Sequence, residues 1–390
     1  MRKKKVLYVF GGEFASGGEY VIERLMINNQ DVEPTLFIAP GAYSNSLKQK
    51  YSFEIVELNA LKKLNRSRVN IFLFCMRAIF NYLIVSKKVL SYSFSNEISI
   101  VHANTLGPAS YLLPAILLSK LFRFKIFWLW SDHDLIHHSA LDKFLLKLCS
   151  KFYNLTLVVS YAVKSKYSPS NDKVKVLYNG LDTRNFKRDD IARERLRDLY
   201  SLEKDCLVIG IAGFIAPRKG QIQLIEAIQS LNLSSLRLKL LITGLPLDAN
   251  SSYYNEFLAK VNQNSNTIYV GSSEDMVAFY NCCDVVVNNS SINGSEPLGT
   301  TIYEGMACER IVVAASVGGT PEIISDGIDG FLYHAENMTI FLSIVNTILD
   351  RNSDFNIIKN NARRKVIEKF DVNVMSKSYN IILNQLIQKQ

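Results

Sequence analysis

The chain has 390 residues, 48% of them hydrophobic and 21% charged, more than one ordinary core holds and enough for two globular domains. Its net charge of +9 leaves anionic lipid and phosphorylated substrates open as partners. Nucleic acid is set aside, because no recognition-helix pattern, RNA-binding aromatic motif or zinc-finger spacing occurs. Six cysteines, at 75, 149, 206, 282, 283 and 308, form no Cys-x-x-Cys pair, so they suggest neither a disulfide framework nor a zinc ribbon and point to a reducing, cytoplasmic compartment.

The basic opening, Met1 to Lys5, precedes an apolar run that stops at Phe10, too short for the core of a signal peptide. That run, Lys5 to Phe10, reads as a first parallel strand. A glycine turn follows, with Gly11, Gly12, Gly17 and Gly18, and then a helix with Val21, Ile22, Leu25 and Met26 on one face. Such a turn either opens a phosphate site or only relieves crowding between strand and helix.

From Glu33 to Glu57 two more strands are expected. Lys62, Lys63, Arg66 and Arg68 then precede an apolar helix beginning near Ile71, with Arg77, Lys87 and Lys88 along it. The apolar segments 71–85 and 106–118 are interrupted by Arg77 and Asn81, and by Pro108 and Pro114, so neither gives the roughly 20 apolar residues of a membrane span. Two readings of 71–85 stand: a helix packed into the core with a solvated basic face, or a patch resting on an anionic bilayer without crossing it.

Ser99 to Asn104 and Lys125 to Trp130 read as buried strands, the second running into Ser131, Asp132, His133 and Asp134. Sites on such sheets lie at strand ends, which makes His133 a candidate; the alternative is a histidine that merely hydrogen-bonds a neighbouring carboxylate. His133 and His137 are four apart with aspartates on either side of His133, yet no third well-spaced ligand follows, and no metal is expected. Strands at 155–160 and 173–178 lead to the turn Asn179-Gly180-Leu181-Asp182. The charged run from Lys187 to Arg197 reads as a linker or surface helix, placing a domain boundary near residue 203.

The second half opens with Leu207 to Phe214, then Pro217-Arg218-Lys219-Gly220 and a helix bearing Leu224, Ile225 and Ile228. Strands at 238–243 and 267–270 alternate with helices, the pattern of a parallel sheet. Asp284 to Asn289 reads as another buried strand. Seven residues separate Glu296 from Glu304, and Gly299-Thr300-Thr301 lies between them. A helix opening there, with Thr300 or Thr301 as its cap, would present free N–H groups and a positive dipole end, a ready phosphate site. The bland reading is a helix whose early glutamate only complements the dipole. A further strand, 310–316, leads into Val317-Gly318-Gly319-Thr320-Pro321-Glu322 and a second glycine-opened helix, and the glycine turn closes at Gly330.

The run from Glu296 through Glu304 to Gly319 and Gly330 resembles the signature of glycosyltransferase family 4, retaining enzymes with two facing Rossmann-like domains of the GT-B type. The resemblance is strong from Lys173 to Gly330 and looser before it. It implies an α/β fold with an acceptor-binding domain at 1–203, a nucleotide-sugar-binding domain at 204–372, and a last helix at 373–390 that crosses back to the first domain. It further implies a nucleotide-diphosphate sugar as donor, no metal or other cofactor, and a glycan or lipid-linked acceptor of surface-polysaccharide type. The enzyme would be cytoplasmic, with peripheral contact to the inner face of the membrane.

By the same resemblance, Glu304 holds the ribose hydroxyls and Glu296 approaches the sugar. The N–H groups of Gly299, Thr300 and Thr301, with Lys219 and Arg218, neutralise the diphosphate. Gly17 and Gly18 lie near the donor phosphate and the acceptor, and His133 contacts the transferring sugar or orients the acceptor. One position departs from the family, which places an arginine where this chain has Phe214, and Arg218 is close enough in sequence to substitute. A glycosidase carboxylate pair is less consistent with the phosphate-binding surroundings. A nucleotide-sugar epimerase and a catalytically silent nucleotide-sugar-binding module are the alternatives on the same scaffold.

Overall fold

The structure is a computed structural model that describes residues 3–13, 17–63, 70–136, 139–231, 238–294, 296–350 and 354–388. Two compact units emerge, one formed by Met1–Gly180 with Val372–Gln390, the other by Leu181–Asp371.

The first unit is built on seven parallel strands: β1 (Lys4–Val9), β2 (Val32–Ile38), β3 (Glu54–Glu57), β4 (Ile100–Asn104), β5 (Phe127–Asp132), β6 (Leu155–Val158) and β7 (Val174–Val176). Their order is β3-β2-β1-β4-β5-β6-β7. β4 and β5 are buried at every residue, as continuous apolar runs must be in a parallel sheet covered on both faces. The order reverses between β1 and β4, and ligands of such sheets bind beyond the carboxyl ends of strands at that reversal.

The second unit has six parallel strands: β8 (Leu207–Ala212), β9 (Leu238–Thr243), β10 (Thr267–Tyr269), β11 (Val285–Asn288), β12 (Ile311–Ala315) and β13 (Phe331–Tyr333). They are ordered β10-β9-β8-β11-β12-β13, so the reversal falls between β8 and β11. Two parallel α/β domains are what the alternating strand and helix patterns predict.

The boundary between the units differs from the expected one near residue 203. Of the two readings of the charged run, linker or surface helix, the second holds: its helix, Asp190–Leu199, is anchored on the second unit. The Arg193 guanidinium donates to the carbonyls of Asn281 (2.9 Å) and Cys283 (3.0 Å) and to Asp284 Oδ1 (2.5 Å), while Arg197 donates to the Cys206 carbonyl at 2.7 Å. Charge in this stretch thus closes the ends of a neighbouring helix and strand. At the other end of the chain the helix Val372–Ile387 belongs to the first unit, with Val372, Met375, Tyr379 and Leu383 in its core.

The helix Ile71–Ser95 is longer than the apolar stretch that announced it. Its second half buries Val85 and Val89, but its first four turns do not pack into the core: Phe72 is 68% exposed, and Met76, Ile79, Phe80 and Leu83 are exposed as well. The core-packing reading of 71–85 is therefore corrected. Among the described residues no helix is long and apolar enough to cross a membrane. Arg66 and Arg68 lie outside the described residues, and Lys62 pairs with Glu13 at 2.9 Å.

Candidate active site

In the second unit, the loops after β8 and β11 are stitched together at the reversal point. After β8 the chain makes a single helical turn, Pro217–Lys219. Asn289, just past β11, donates its Nδ2 to the Gly220 carbonyl at 2.7 Å, and the Ser291 N–H donates to the Arg218 carbonyl at 3.0 Å. These bonds deliver Lys219 to the loop that carries Glu296.

Lys219 Nζ makes an ion pair with Glu296 Oε2, with the two side chains 14% and 8% exposed. The same oxygen accepts from Ser290 Oγ at 2.7 Å and from Asn288 Nδ2 at 3.4 Å. Asn288 Nδ2 also lies 3.3 Å from Thr301 Oγ1. Burial raises the Glu296 pKa, but the Lys219 charge and the hydrogen bonds from Lys219, Ser290 and Asn288 outweigh it and hold the carboxyl below its ordinary value. Glu296 is an ionised, buried carboxylate locked by a cation.

The helix Thr300–Ala307 follows, with one correction to the expected cap. Its cap is Gly299, at φ +86°, a left-handed conformation in which a threonine would be strained, and no side chain caps the first turn. The N–H groups of Thr300 and Thr301 at that end have no acceptor within the helix. One turn in, Glu304 Oε2 accepts the Tyr280 hydroxyl at 2.7 Å.

The second glycine turn packs against the loop that carries Glu296. Its helix, Thr320–Ile323, is a single turn. The Gly319 N–H donates to the Glu296 carbonyl at 3.0 Å, and a Cβ on Gly319 would sit 2.4 Å from the Pro297 carbonyl oxygen. Glycine there lets the backbone brace the Glu296 loop from behind. Phe214, where an arginine was expected, is 47% exposed. Arg218 is half-buried, and among the described residues its guanidinium has no partner.

In the first unit, the ends of β4 and β5 bring Asn104 and His133 together, against Gly18 in the helix that follows β1. His133 Nε2 lies 2.8 Å from Asn104 Oδ1, and a Cβ on Gly18 would come 3.1 Å from the imidazole Cδ2. Gly17, one residue earlier in the helix Gly17–Asn28, faces open space. Burial lowers the His133 pKa, against the charges of Asp132, Glu19 and Asp134, so the ring is neutral at pH 7 and Nδ1 is left as its acceptor.

Asp132 is engaged elsewhere, by the Tyr167 hydroxyl and Lys166 Nζ, each at 2.5 Å. Behind the pair, fully buried His102 bridges Ser131 Oγ (2.8 Å) and Tyr379 Oη (2.9 Å), with its pKa pushed down to about 3 by burial and by the charge of His133. His137 lies outside the described residues, and no cluster of three potential metal ligands occurs among the described ones.

Residues 192–365, most of the second unit, match the family model described as glycosyl transferases group 1. The second unit is a glycosyl transferases group 1 domain. Relatives of the chain include the lipopolysaccharide 1,2-N-acetylglucosaminetransferase of Salmonella typhimurium, 29% identical over 182 residues, which are 45% of this chain and 46% of that protein. Another is the D-inositol 3-phosphate glycosyltransferase of Stackebrandtia nassauensis, 30% identical over 184 residues, 44% of this chain and 40% of that protein. The chain thus spans about half the length of the curated relatives it matches.

The fold likeness runs further than the sequence likeness. Anabaena Alr3699/HepE, solved in complex with UDP, superposes with a TM-score of 0.81 at 21% identity, covering 98% of this chain and 100% of that one. Sucrose-phosphate synthase from Thermosynechococcus elongatus gives 0.79 at 17% identity, covering 100% of each chain. At these identities the likeness establishes the GT-B type of fold for both units.

Sequence reasoning missed Asn288, Ser290, Tyr280 and Asn104. Asn288 and Asn104 each end a buried apolar strand with an amide, a signal that marks the carboxyl edge of a parallel sheet. Tyr280, inside the preceding helix Met276–Cys282, gave no such signal.

Proposed function

We propose that the chain is a retaining glycosyltransferase of family 4, moving a sugar from a nucleotide-diphosphate donor held by the second unit to an acceptor held by the first. The observation that carries this reading is the buried Lys219 and Glu296 pair beside the uncapped start of the Thr300–Ala307 helix. A cation, a helix N-terminus and a carboxylate converge there, which suits a diphosphate leaving group and the sugar attached to it.

In the reaction, the bond from the anomeric carbon to the diphosphate oxygen breaks and the bond to the acceptor oxygen forms, and the acceptor proton ends on the released diphosphate. The N–H groups of Gly299, Thr300 and Thr301, with Lys219 and Arg218, stabilise the charge that develops on the leaving group. Lys219 exchanges its grip on Glu296 for the diphosphate, which frees the carboxylate to meet the sugar. Glu304, oriented by the Tyr280 hydroxyl, meets the ribose diol. Neutral His133 orients the acceptor, with Gly18 leaving room against its ring, and no metal is required.

The acceptor class we favour is a lipid-linked or surface-polysaccharide intermediate, in line with the lipopolysaccharide enzyme among the relatives. The exposed apolar face of Ile71–Ser95, flanked by Arg77, Lys87 and Lys88, supports peripheral contact with an anionic membrane. Sedimentation with anionic vesicles at low salt, reversed at high salt, is the expected result, and equal sedimentation with neutral vesicles would remove the membrane contact.

Incubation with a panel of nucleotide sugars, beginning with UDP sugars, followed by mass spectrometry of products, tests the activity. Transfer depends on added acceptor. A product formed without acceptor would indicate an epimerase, and binding without any product would indicate a silent module.

A further inference from the structure

The first unit carries a second concave site at the opposite end of its sheet from His133. The amino ends of β5, β6 and β7 border a cavity of about 650 Å³, lined by Lys120, Arg123, Lys125, Lys173 and Lys175 and by a single carboxylate, Asp172. β5 separates it from His133: six residues at about 3.3 Å each put the two sites roughly 20 Å apart along the strand. Ligands of parallel α/β sheets ordinarily bind at the carboxyl ends, so this cavity is no extension of the acceptor site.

Like charges are crowded here without neutralisation. Among the described residues, Arg123, Lys125 and Lys175 have no hydrogen-bond or ion-pair partner for their side chains. Lys120 rests over the Phe152 ring, 5.2 Å from its centroid, and Lys173 reaches only the Lys151 carbonyl at 3.4 Å. Burial and then the charge of Lys173 lower the pKa of Lys120, a strain that a bound anion would relieve.

Trp128, 1% exposed, stands in the cavity wall. Apolar walls from Phe124, Ile382 and Leu386 stand beside the cations, and the stretch from Lys120 to Lys125 alternates them with Leu121 and Phe122, which are 73% and 61% exposed.

We propose that this cavity is a binding site for a phosphate-bearing ligand, separate from the donor site, in which the five cations take the phosphate group. The source of the phosphate is either an anionic lipid headgroup or a soluble phosphate ester. The proposal does not rest on the transfer reaction.

The chain contains two tryptophans, Trp128 and Trp130, both on β5, so intrinsic fluorescence reads this site. The full-length protein is titrated with inorganic pyrophosphate and, separately, with monomeric dihexanoyl phosphatidic acid and dihexanoyl phosphatidylcholine. A saturable change with phosphatidic acid alone assigns a lipid headgroup, and saturation with pyrophosphate at similar concentration assigns a free phosphate group. The Lys125→Ala/Lys175→Ala variant, which alters only exposed side chains, weakens binding about tenfold or more. Lys219→Ala leaves the signal intact, which separates this cavity from the donor site. No saturation with either anion, unchanged binding in the double-lysine variant, or loss of the signal in Lys219→Ala would each overturn the proposal.

Discussion

Glu296 and Lys219, beyond β11 and β8 in the second unit, form an ion pair although both are mostly buried; in the first unit His102, on β4, is buried and neutral, and His133, just after β5, is half-buried and neutral. Both groups lie where a parallel sheet reverses its strand order. In the second unit each desolvated charge is compensated by its opposite and by Ser290 and Asn288. The histidines instead give up their charge and keep their hydrogen bonds. A site with a locked ion pair is poised to exchange one anion for another, whereas a site of neutral imidazoles is poised to accept or position a hydroxyl proton. The contrast matches the division proposed here, donor diphosphate in one unit and acceptor hydroxyl in the other.

The sharpest way to break the contrast is to remove the cation. Lys219→Ala should lower turnover roughly a hundredfold or more, as loss of one transition-state charge contact does. It should also destabilise the second unit by about 3–5 kcal/mol, because Glu296 is left buried and unpaired. Adding Glu296→Gln removes the orphaned charge, so the double variant should regain most of the stability and none of the activity. Denaturant unfolding beside steady-state rates separates the two effects, and full activity in Lys219→Ala would mean that another group neutralises the diphosphate.

Next in size is Glu304→Gln. The amide oxygen can still accept from Tyr280, so the fold is retained, while an acceptor for the ribose hydroxyls becomes a donor. Donor affinity should fall by roughly 1.5–3 kcal/mol in calorimetric titration. Unchanged affinity would take Glu304 out of the nucleotide site.

The pair that this site turns on could not be read from the chain alone. Glu296 and Glu304 were legible, because they flank a glycine turn between two β-branched runs. Their partners were not: Lys219 meets Glu296 only through the crossing bonds of Asn289 with Gly220 and of Ser291 with Arg218, contacts that depend on β8 and β11 being neighbours. The cap was misplaced to a threonine for a related reason, since only the backbone shows Gly299 at φ +86°. The boundary was placed too late because a charged run resembles a linker, while Arg193 and Arg197 spend their charges on the second unit's carbonyls. Strand positions, in contrast, were legible nearly residue by residue, because a strand covered on both faces leaves an uninterrupted apolar run.

The neutral side of the contrast gives a smaller, pH-dependent effect. The folded pKa of His102, about 3, lies below the unfolded value of about 6.5, so its contribution is fully present above pH 6.5 and is lost as the pH falls toward 3. Between pH 7 and pH 5 the first unit should therefore lose about 2 kcal/mol more in the wild type than in His102→Gln, at about 1.36 kcal/mol per pH unit below 6.5. Tryptophan fluorescence follows that unit selectively, because both tryptophans lie on β5. Parallel pH profiles for the two proteins would show that burial does not hold His102 neutral.

The smallest expected effect concerns the cation missing at Phe214. That side chain stands exposed at the end of β8, and nothing about it can stabilise a phosphate. Lys219, already engaged by Glu296, supplies one charge when the donor arrives, and the diphosphate develops more as the sugar leaves. Arg218 has no side-chain partner among the described residues, is half-buried, and has its carbonyl fixed by the Ser291 N–H, so its backbone is immobilised while its guanidinium is uncommitted. An arginine held in this way suits bidentate contact with a phosphate. Arg218→Ala should lower turnover about tenfold, well short of Lys219→Ala, with little change in stability because no internal bond of its side chain is lost. Arg218→Lys should recover part of the rate by restoring charge without the fork. Steady-state rates of the two variants decide the matter: an Arg218→Ala enzyme as fast as the wild type would leave Arg218 a surface residue of its turn, and the cleft would then work with one cation fewer than the family pattern provides.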